Sequence, residues 1–342
     1  MNKRVEFPAV PFDKPLLSLV VPLFNERPML PLFFERVLPV LAQLDLKWEI
    51  VLVDDGSDDG SAQYIRGVVD RTPGIRLVKL SRNFGKEAAM TAGMEHAMGD
   101  AVIVLDADLQ DPPEQIPGMV ECWQSGVDVV LMQRRSRAGE TALKRWSAHI
   151  FYRLLNRTSR TNIPVDTGDF RLMSRKAVNA LLSLTERNRY MKGLFAWVGM
   201  PTRIIQYDRE PRAAGETKWD YPGLVGLALE GLTSFSVSPL RWATLIGLIA
   251  ATMGAVFGLW IVVKAIMLGD ATSGYPSLVA IISFLGGIQL ISVGIVGEYV
   301  GKTYMESKQR PIYLTEEVLE SRVSVTQQAN RKMTGARHVK AV

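Results

Sequence analysis

The sequence predicts an α/β fold, a mostly parallel sheet with helices on both faces, followed by a C-terminal two-helix transmembrane hairpin. Three observations predict it. Short apolar runs alternate with helical patterns from about residue 17 to 133. Acidic residues fall directly after those runs, where open α/β sheets bind ligands. Two uncharged stretches near the end, 243–263 and 277–297, each approach the ~20 residues that a bilayer core requires.

The strands read as Leu17–Leu23, Trp48–Val53, Ile75–Leu80, Ala101–Leu105 and Val127–Met132. Ala101–Leu105 is the clearest, five apolar and mostly β-branched residues in a row, as in a buried strand. The helical patterns between them are Pro28–Leu44, Ser61–Asp70, Lys86–Met98 and Pro113–Ser125. Further on, Leu143, Trp146, Ile150, Phe151 and Leu154 share one face with basic neighbours, suiting an interfacial or a sheet-packed helix. Tyr221–Phe235 is a second amphipathic candidate. The hairpin turns at Gly269–Pro276, and Gly254/Gly258 and Gly297/Gly301 have the spacing of helix contacts within it or between protomers. Arg241 before the first span and Lys302, Lys308 and Arg310 after the second put both ends of the hairpin on the cytosolic side. From about Thr315 on, the chain is polar and is expected to be partly disordered. The divisions are therefore an N-terminal segment 1–15, a cytosolic domain 16–220, a juxtamembrane amphipathic segment 221–240, the hairpin 241–302 with spans 242–266 and 277–299, and a cytosolic tail 303–342.

Composition narrows the function. Forty Lys+Arg against 35 Asp+Glu give a dispersed net charge of +5, which suits an anionic membrane surface and not a nucleic acid. A single cysteine, Cys122, excludes an intrachain disulfide and a cysteine-based zinc site, and three scattered histidines argue against a histidine-rich metal site. Met1–Pro15 lacks the apolar core of a signal peptide, so the large domain is expected in the cytosol. The turn after the first strand, Val21–Glu26, is no glycine-rich dinucleotide fingerprint, and no P-loop occurs.

Asp106-Ala107-Asp108 follows the fourth strand. Two carboxylates so close repel each other unless a cation lies between them, and hard oxygen ligands suit Mg²⁺ or Mn²⁺ shared with substrate phosphates. Asp54-Asp55-Gly56-Ser57 ends the second strand, where a carboxylate can accept from a base imide or a ribose hydroxyl. Arg82-Asn83-Phe84-Gly85-Lys86 opens a helix, where basic groups can meet a phosphate.

Together, Pro22…Asn25-Glu26, Asp54-Asp55-Gly56-Ser57, Arg82–Lys86 and Asp106-Ala107-Asp108-Leu109-Gln110 resemble glycosyltransferase family 2. The chain looks more specifically like its polyisoprenyl-phosphate glycosyltransferases, the group of dolichyl-phosphate mannose synthases and bacterial undecaprenyl-phosphate glucosyltransferases. Asp166-Thr167-Gly168-Asp169-Phe170-Arg171 is similar to the acceptor-side motif, and Arg209…Arg212…Gly215-Glu216-Thr217-Lys218-Trp219 to the basic loop. Phe235…Pro239-Leu240-Arg241 leads into the hairpin as in the bacterial members. The resemblance covers about residues 16–312. Two departures matter. Ser238 stands where processive synthases carry the glutamine of Gln-x-x-Arg-Trp, and residues 166–171 differ from the longer variant of aminoarabinose-transferring relatives. A common hexose is thus favoured.

The resemblance implies a GT-A, Rossmann-like domain and inverting transfer of a hexose such as glucose. The donor would be a UDP-sugar, and the acceptor a polyprenyl phosphate such as undecaprenyl phosphate at the cytosolic face of the inner membrane. The product would serve lipopolysaccharide or cell-wall glycan modification. It implies Pro22, Asn25, Glu26, Asp54 or Asp55, Arg82, Lys86, Asp106 and Gln110 on the nucleotide sugar, and Asp106, Asp108 and Gln110 on Mg²⁺ or Mn²⁺. Asp169 stands at the acid–base position, with Asp166 the alternative and Arg212 and Lys218 beside them. Arg171, Arg209, Arg212 and Lys218 face the acceptor phosphate, although Arg171 also suits a buried partner of an acid such as Asp166. A base role for Asp169 is not forced, because a phosphomonoester with a second pKa near ~6 is already largely dianionic. A homo-oligomer, in the form of a tetramer, is expected. Two other readings use the same residues: a nucleotidyltransferase attacking phosphorus, and a non-catalytic membrane scaffold.

Overall fold

The computed structural model of the chain describes residues 14–135, 167–187, 189–210, 233, 236–268 and 274–321. Its elements run β1 (Leu16–Leu23), α1 (Leu30–Ala42), β2 (Lys47–Asp54), α2 (Ser61–Val69), β3 (Ile75–Leu80), α3 (Lys86–His96), β4 (Ala101–Val104), a 3₁₀ turn (Pro113–Gln115), α4 (Ile116–Gln124) and β5 (Val129–Arg134). Then follow β6 (Thr167–Ser174), α5 (Arg175–Leu182), α6 (Met191–Val198), β7 (Thr202–Tyr207), α7 (Ser238–Leu268), α8 (Tyr275–Ser307) and β8 (Thr315–Glu320).

One eight-stranded sheet in the order β7-β5-β6-β4-β1-β2-β3-β8 organises the domain. β1 pairs in parallel with β2 and β4, β2 with β3 and β5 with β7, whereas β6 and β8 run antiparallel to their neighbours. The central strands β1–β4 are buried on both faces, so they read as nearly continuous apolar runs. Alternate residues supply separate cores: Leu17, Leu19 and Val21 pack under α1 and α4, while Val20, Val51 and Val53 pack under α3. Gly93 lets α3 lie close, since a Cβ there would sit 2.3 Å from Val20 Cγ1.

The five expected strands and four helices all form, within a few residues of the expected ends. β6 and β7 escaped the sequence reading. β6 interrupts its apolar residues with Asp169 and Arg171, and β7 is an edge strand whose residues are mostly exposed. The expectation for the tail is corrected at Thr315–Glu320, which forms β8 instead of disordered chain. This acidic strand completes the sheet by charge pairing: Glu317 with Arg66 at 2.6 Å, Glu316 with Lys79 at 2.7 Å and Glu320 with Arg76 at 3.1 Å. Charged side chains on an edge also discourage further strand addition.

α7 and α8 pack on each other as the expected hairpin. Ser238–Ile261 and Phe284–Ser307 have mean hydropathies of 2.0 and 1.4 and are almost wholly exposed, so they are long and apolar enough to cross a membrane. Both ends of the hairpin are tied down. Tyr299 Oη donates to the Ser236 carbonyl at 2.5 Å, and the Glu306 carboxylate accepts the Arg187 amide at 2.8 Å. Since β8 rejoins the sheet, the chain leaves and re-enters the α/β domain at one side of the hairpin. Among the described residues, a Cβ at Gly254, Gly258, Gly297 or Gly301 would meet nothing within 4 Å, so these glycines make no close contact between the two helices there.

Candidate active site

The loops after β1, β2, β3 and β4 meet at the strand C-termini, where the backbone turns away and leaves side chains facing a common space. They are stitched together. The Asn25 amide donates to Ser57 Oγ at 2.9 Å, and Asn25 Oδ1 accepts the Asp58 amide at 3.0 Å. Asn25 holds φ +54 to do so. Asp55 accepts the Phe84 and Gly85 amides at 2.7 and 2.8 Å, one on each oxygen. Gly56 permits this approach: φ is +73, and a Cβ would lie 2.5 Å from the Arg82 carbonyl carbon. Asp54 is fully buried and accepts the Ser57 amide on Oδ1 at 3.0 Å, while its Oδ2 has no partner among the described residues. Burial raises the pKa of both acids.

The second acidic group is set by strand register. β4 and β6 pair antiparallel up to Val104 opposite Arg171, and Asp106 and Asp169 both lie two residues beyond that pair, close enough to share one partner. Like charges facing each other across strands are destabilising. Lys86, the first residue of α3, resolves this by placing Nζ 2.7 Å from Asp106 Oδ2 and 2.6 Å from Asp169 Oδ2. Burial would lower the Lys86 ammonium, but the two carboxylates outweigh it and hold it above the ordinary lysine range. Burial would likewise raise Asp169, yet Lys86, Lys192 and Arg171 hold it well below the carboxylate range. Glu87 lies next to this group and accepts the Met191 amide at 3.3 Å, and burial together with Asp169 pushes its carboxyl up to about 8.

The residues around Asp106 suit a divalent ion. Asp106 Oδ1 is buried with no hydrogen-bond partner among the described residues. Asp108 follows two residues on, turned by Leu109 at φ +54, and its Oδ1 accepts the Gln110 amide at 3.2 Å. Among the described residues no three His, Cys, Asp or Glu side chains form a closed metal cage. Two hard carboxylates without a third fit a Mg²⁺- or Mn²⁺-type ion that completes its shell from substrate oxygens.

The other expected residues fall at two levels. Arg171 is buried, donates to the Gly168 carbonyl at 2.7 Å and stacks on Phe195 at 3.6 Å, and burial pulls it down to about 10. Arg209 Nε lies 3.6 Å from Asp111 Oδ1, and buried Asp111 also accepts the Tyr207 hydroxyl. Arg82 is exposed and stacks on Phe84 at 4.6 Å. Pro22 is buried within β1, and Glu26 accepts the Met29 amide on its carbonyl at 2.9 Å to start α1. Asp166, Arg212 and Lys218, with the stretch 143–157 and most of 221–235, lie outside the described residues. Sequence reading missed Glu87, Lys192, Asp111 and Tyr207. Glu87 and Asp111 each adjoin a residue it did single out, but only the tertiary contacts show them at the site.

A model of glycosyl transferase family 2 matches residues 18–182. The prophage bactoprenol glucosyl transferase homolog of Escherichia coli (strain K12) is 46% identical over 302 residues, 88% of this chain and 99% of that protein. The bactoprenol glucosyl transferase of Shigella phage SfV is 46% identical over 298 residues, 87% of this chain and 97% of that one. Among solved structures, glucosyl-3-phosphoglycerate synthase from Mycobacterium tuberculosis, in complex with Mn²⁺, UDP-glucose and phosphoglyceric acid, aligns with a TM-score of 0.46 and 18% identity over 64% of this chain and 78% of that chain.

Proposed function

The chain belongs to glycosyl transferase family 2, and from that premise we propose that it transfers a hexose, glucose first among them, from a UDP-sugar to the phosphate of a membrane polyprenyl phosphate such as undecaprenyl phosphate. Its mixed sheet is the family's GT-A nucleotide-sugar transferase fold. The observation that carries the reading is the meeting of Asp106 and Asp169 over Lys86, in a domain tied to two helices long enough to span a bilayer. The near full-length likeness to proteins named bactoprenol glucosyl transferase supports the acceptor and the sugar.

Each residue then has a task. The unpartnered Asp54 Oδ2 accepts from the base imide or a ribose hydroxyl, and the Pro22–Glu26 turn walls the nucleoside. Asp106, Asp108 and Gln110 would hold Mg²⁺ or Mn²⁺, which would offset the charge developing on the departing diphosphate. Asp169, through the Lys86 ammonium that it holds, positions the acceptor phosphate toward the anomeric carbon for inversion. The phosphate, with a second pKa near ~6, needs no strong base. Arg209, with Arg212 and Lys218 of the basic loop, offsets the repulsion between two phosphate-bearing substrates. The hairpin confines the domain to the plane of the acceptor headgroup and so raises its effective concentration. Arg241, Lys302, Lys308 and Arg310 favour the cytosolic face of the inner membrane for both the domain and the C-terminus.

The test is purified protein with Mg²⁺, undecaprenyl phosphate and a panel of UDP-sugars, reading UDP release and the mass of the lipid product. A hexosyl lipid from UDP-glucose is expected. Released pyrophosphate would move the assignment to nucleotidyl transfer, and no product from any nucleotide sugar would favour a scaffold.

A further inference from the structure

We propose that Lys86 guards the cation site: it occupies Asp106 until the donor arrives, so that the divalent ion loads with the donor's diphosphate and not ahead of it. The inference rests on the donor and cation reading above and adds an order of loading that this reading does not require.

Three observations carry it. First, one of the two carboxylates offered to a cation is already engaged. Asp106 Oδ2 holds the Lys86 ammonium at 2.7 Å, and among the described residues no three His, Cys, Asp or Glu side chains are grouped to hold a metal ion by themselves. A free dication must therefore displace an ammonium at contact distance and then lie next to it, where like charges repel. Second, Lys86 has somewhere to remain. Its Nζ also lies 2.6 Å from Asp169, whose side chain is only 15% exposed. Letting go of Asp106 leaves the ammonium on a carboxylate that other cations already hold ionised. Third, the movement is confined to a side chain. Asp55 clamps the Phe84 and Gly85 amides immediately before Lys86, so the backbone is fixed, and what has to move is a side chain that is 42% exposed.

A diphosphate changes this balance in two ways. Its negative charge weakens the repulsion between dication and ammonium, and its oxygens supply the ligands that the protein lacks. Donor and cation thus favour each other's binding through Lys86, and the coupling is reciprocal. The ion therefore binds more weakly without a donor to act on.

The test is a Mn²⁺ titration of the full-length protein in nanodiscs, followed by electron paramagnetic resonance with and without saturating UDP. For the wild type, Mn²⁺ affinity is expected to rise about tenfold or more with UDP, as for a coupling of typical size. In Lys86→Gln, affinity without UDP should rise by about fivefold or more, and the gain from UDP should shrink correspondingly. Lys86→Arg, which keeps the charge, should restore the wild-type pattern. Equal Mn²⁺ affinity of the wild type with and without UDP overturns the guard, and this measurement needs no variant to fold. An unchanged or weaker donor-free affinity in a folded Lys86→Gln protein overturns it too. If the wild type binds Mn²⁺ under neither condition, the cation assignment itself fails and the guard falls with it.

Discussion

Two acidic pairs stand at the C-terminal edge of one sheet, and they are held in opposite ways. Asp54 and Asp55 are buried and accept backbone amides from Ser57, Phe84 and Gly85. Asp106 and Asp169 share a single side-chain ammonium. Backbone amides belong to the fold and cannot leave, whereas a lysine can be exchanged for a metal ion or a substrate. The first pair builds the site's frame, with one free oxygen on Asp54, and the second is its exchangeable part. The same residue type in similar positions is thus held by the backbone in one loop and by a side chain in the next.

The largest effects are expected at the exchangeable pair. Asp108→Ala is expected to lower kcat about 10³-fold, the size associated with removing electrostatic stabilisation of a leaving group. Melting temperature should barely change, since Asp108 is half-buried on a loop. Retained metal-dependent turnover would remove Asp108 from the site. Asp169→Asn should cost about 10²-fold in kcat while UDP-sugar affinity stays within about threefold, because an amide keeps the shape but loses the charge that fixes the Lys86 ammonium beside the acceptor. Unchanged kcat would take Asp169 out of the chemistry.

The frame should fail differently. Asp55→Ala removes two charge-assisted hydrogen bonds and leaves the Phe84 and Gly85 amides to find other partners. The expected loss is about 2–4 kcal/mol of stability, read by denaturant unfolding, with a secondary fall in turnover as Lys86 loses its fixed base. A protein as stable as wild type but inactive would place Asp55 among the exchangeable acids and dissolve the distinction.

The frame was legible in the sequence to the extent that it is local. The alternation of apolar runs and helical patterns gave the parallel half of the sheet, and acids directly after those runs marked the ligand edge. What the sequence did not expose depends on pairing between distant segments. Asp106 meets Asp169 because β6 is antiparallel to β4 in one register, and β6 itself hides behind Asp169 and Arg171. β8 reads as a solvated tail because its acids find their partners on α2 and β3, some 240 to 250 residues earlier in the chain. Asp55 reads as a nucleotide ligand until Phe84 and Gly85 are seen on its two oxygens.

The smallest effect sharpens the comparison at its border. Glu87 follows Lys86 and faces Asp169, yet burial first, and then Asp169, pushes its carboxyl from 4.5 up to about 8. The native protein therefore holds a proton near neutral pH that the unfolded chain has already released. More protons bound in the native state means that stability falls as pH rises, here between about 4.5 and 8, and the contribution is complete below that window. Glu87 is half-buried, so solvent screening reduces the effect to about 1–2 kcal/mol. Glu87→Gln fixes the neutral form. Thermal melts at pH 4 and 8.5 should show the variant matching wild type at the lower pH and exceeding it at the higher by a few degrees. An identical pH slope in both proteins would mean that Glu87 is ionised at neutral pH. Lys86 would then serve three carboxylates and not two, and the exchangeable pair would be a triad.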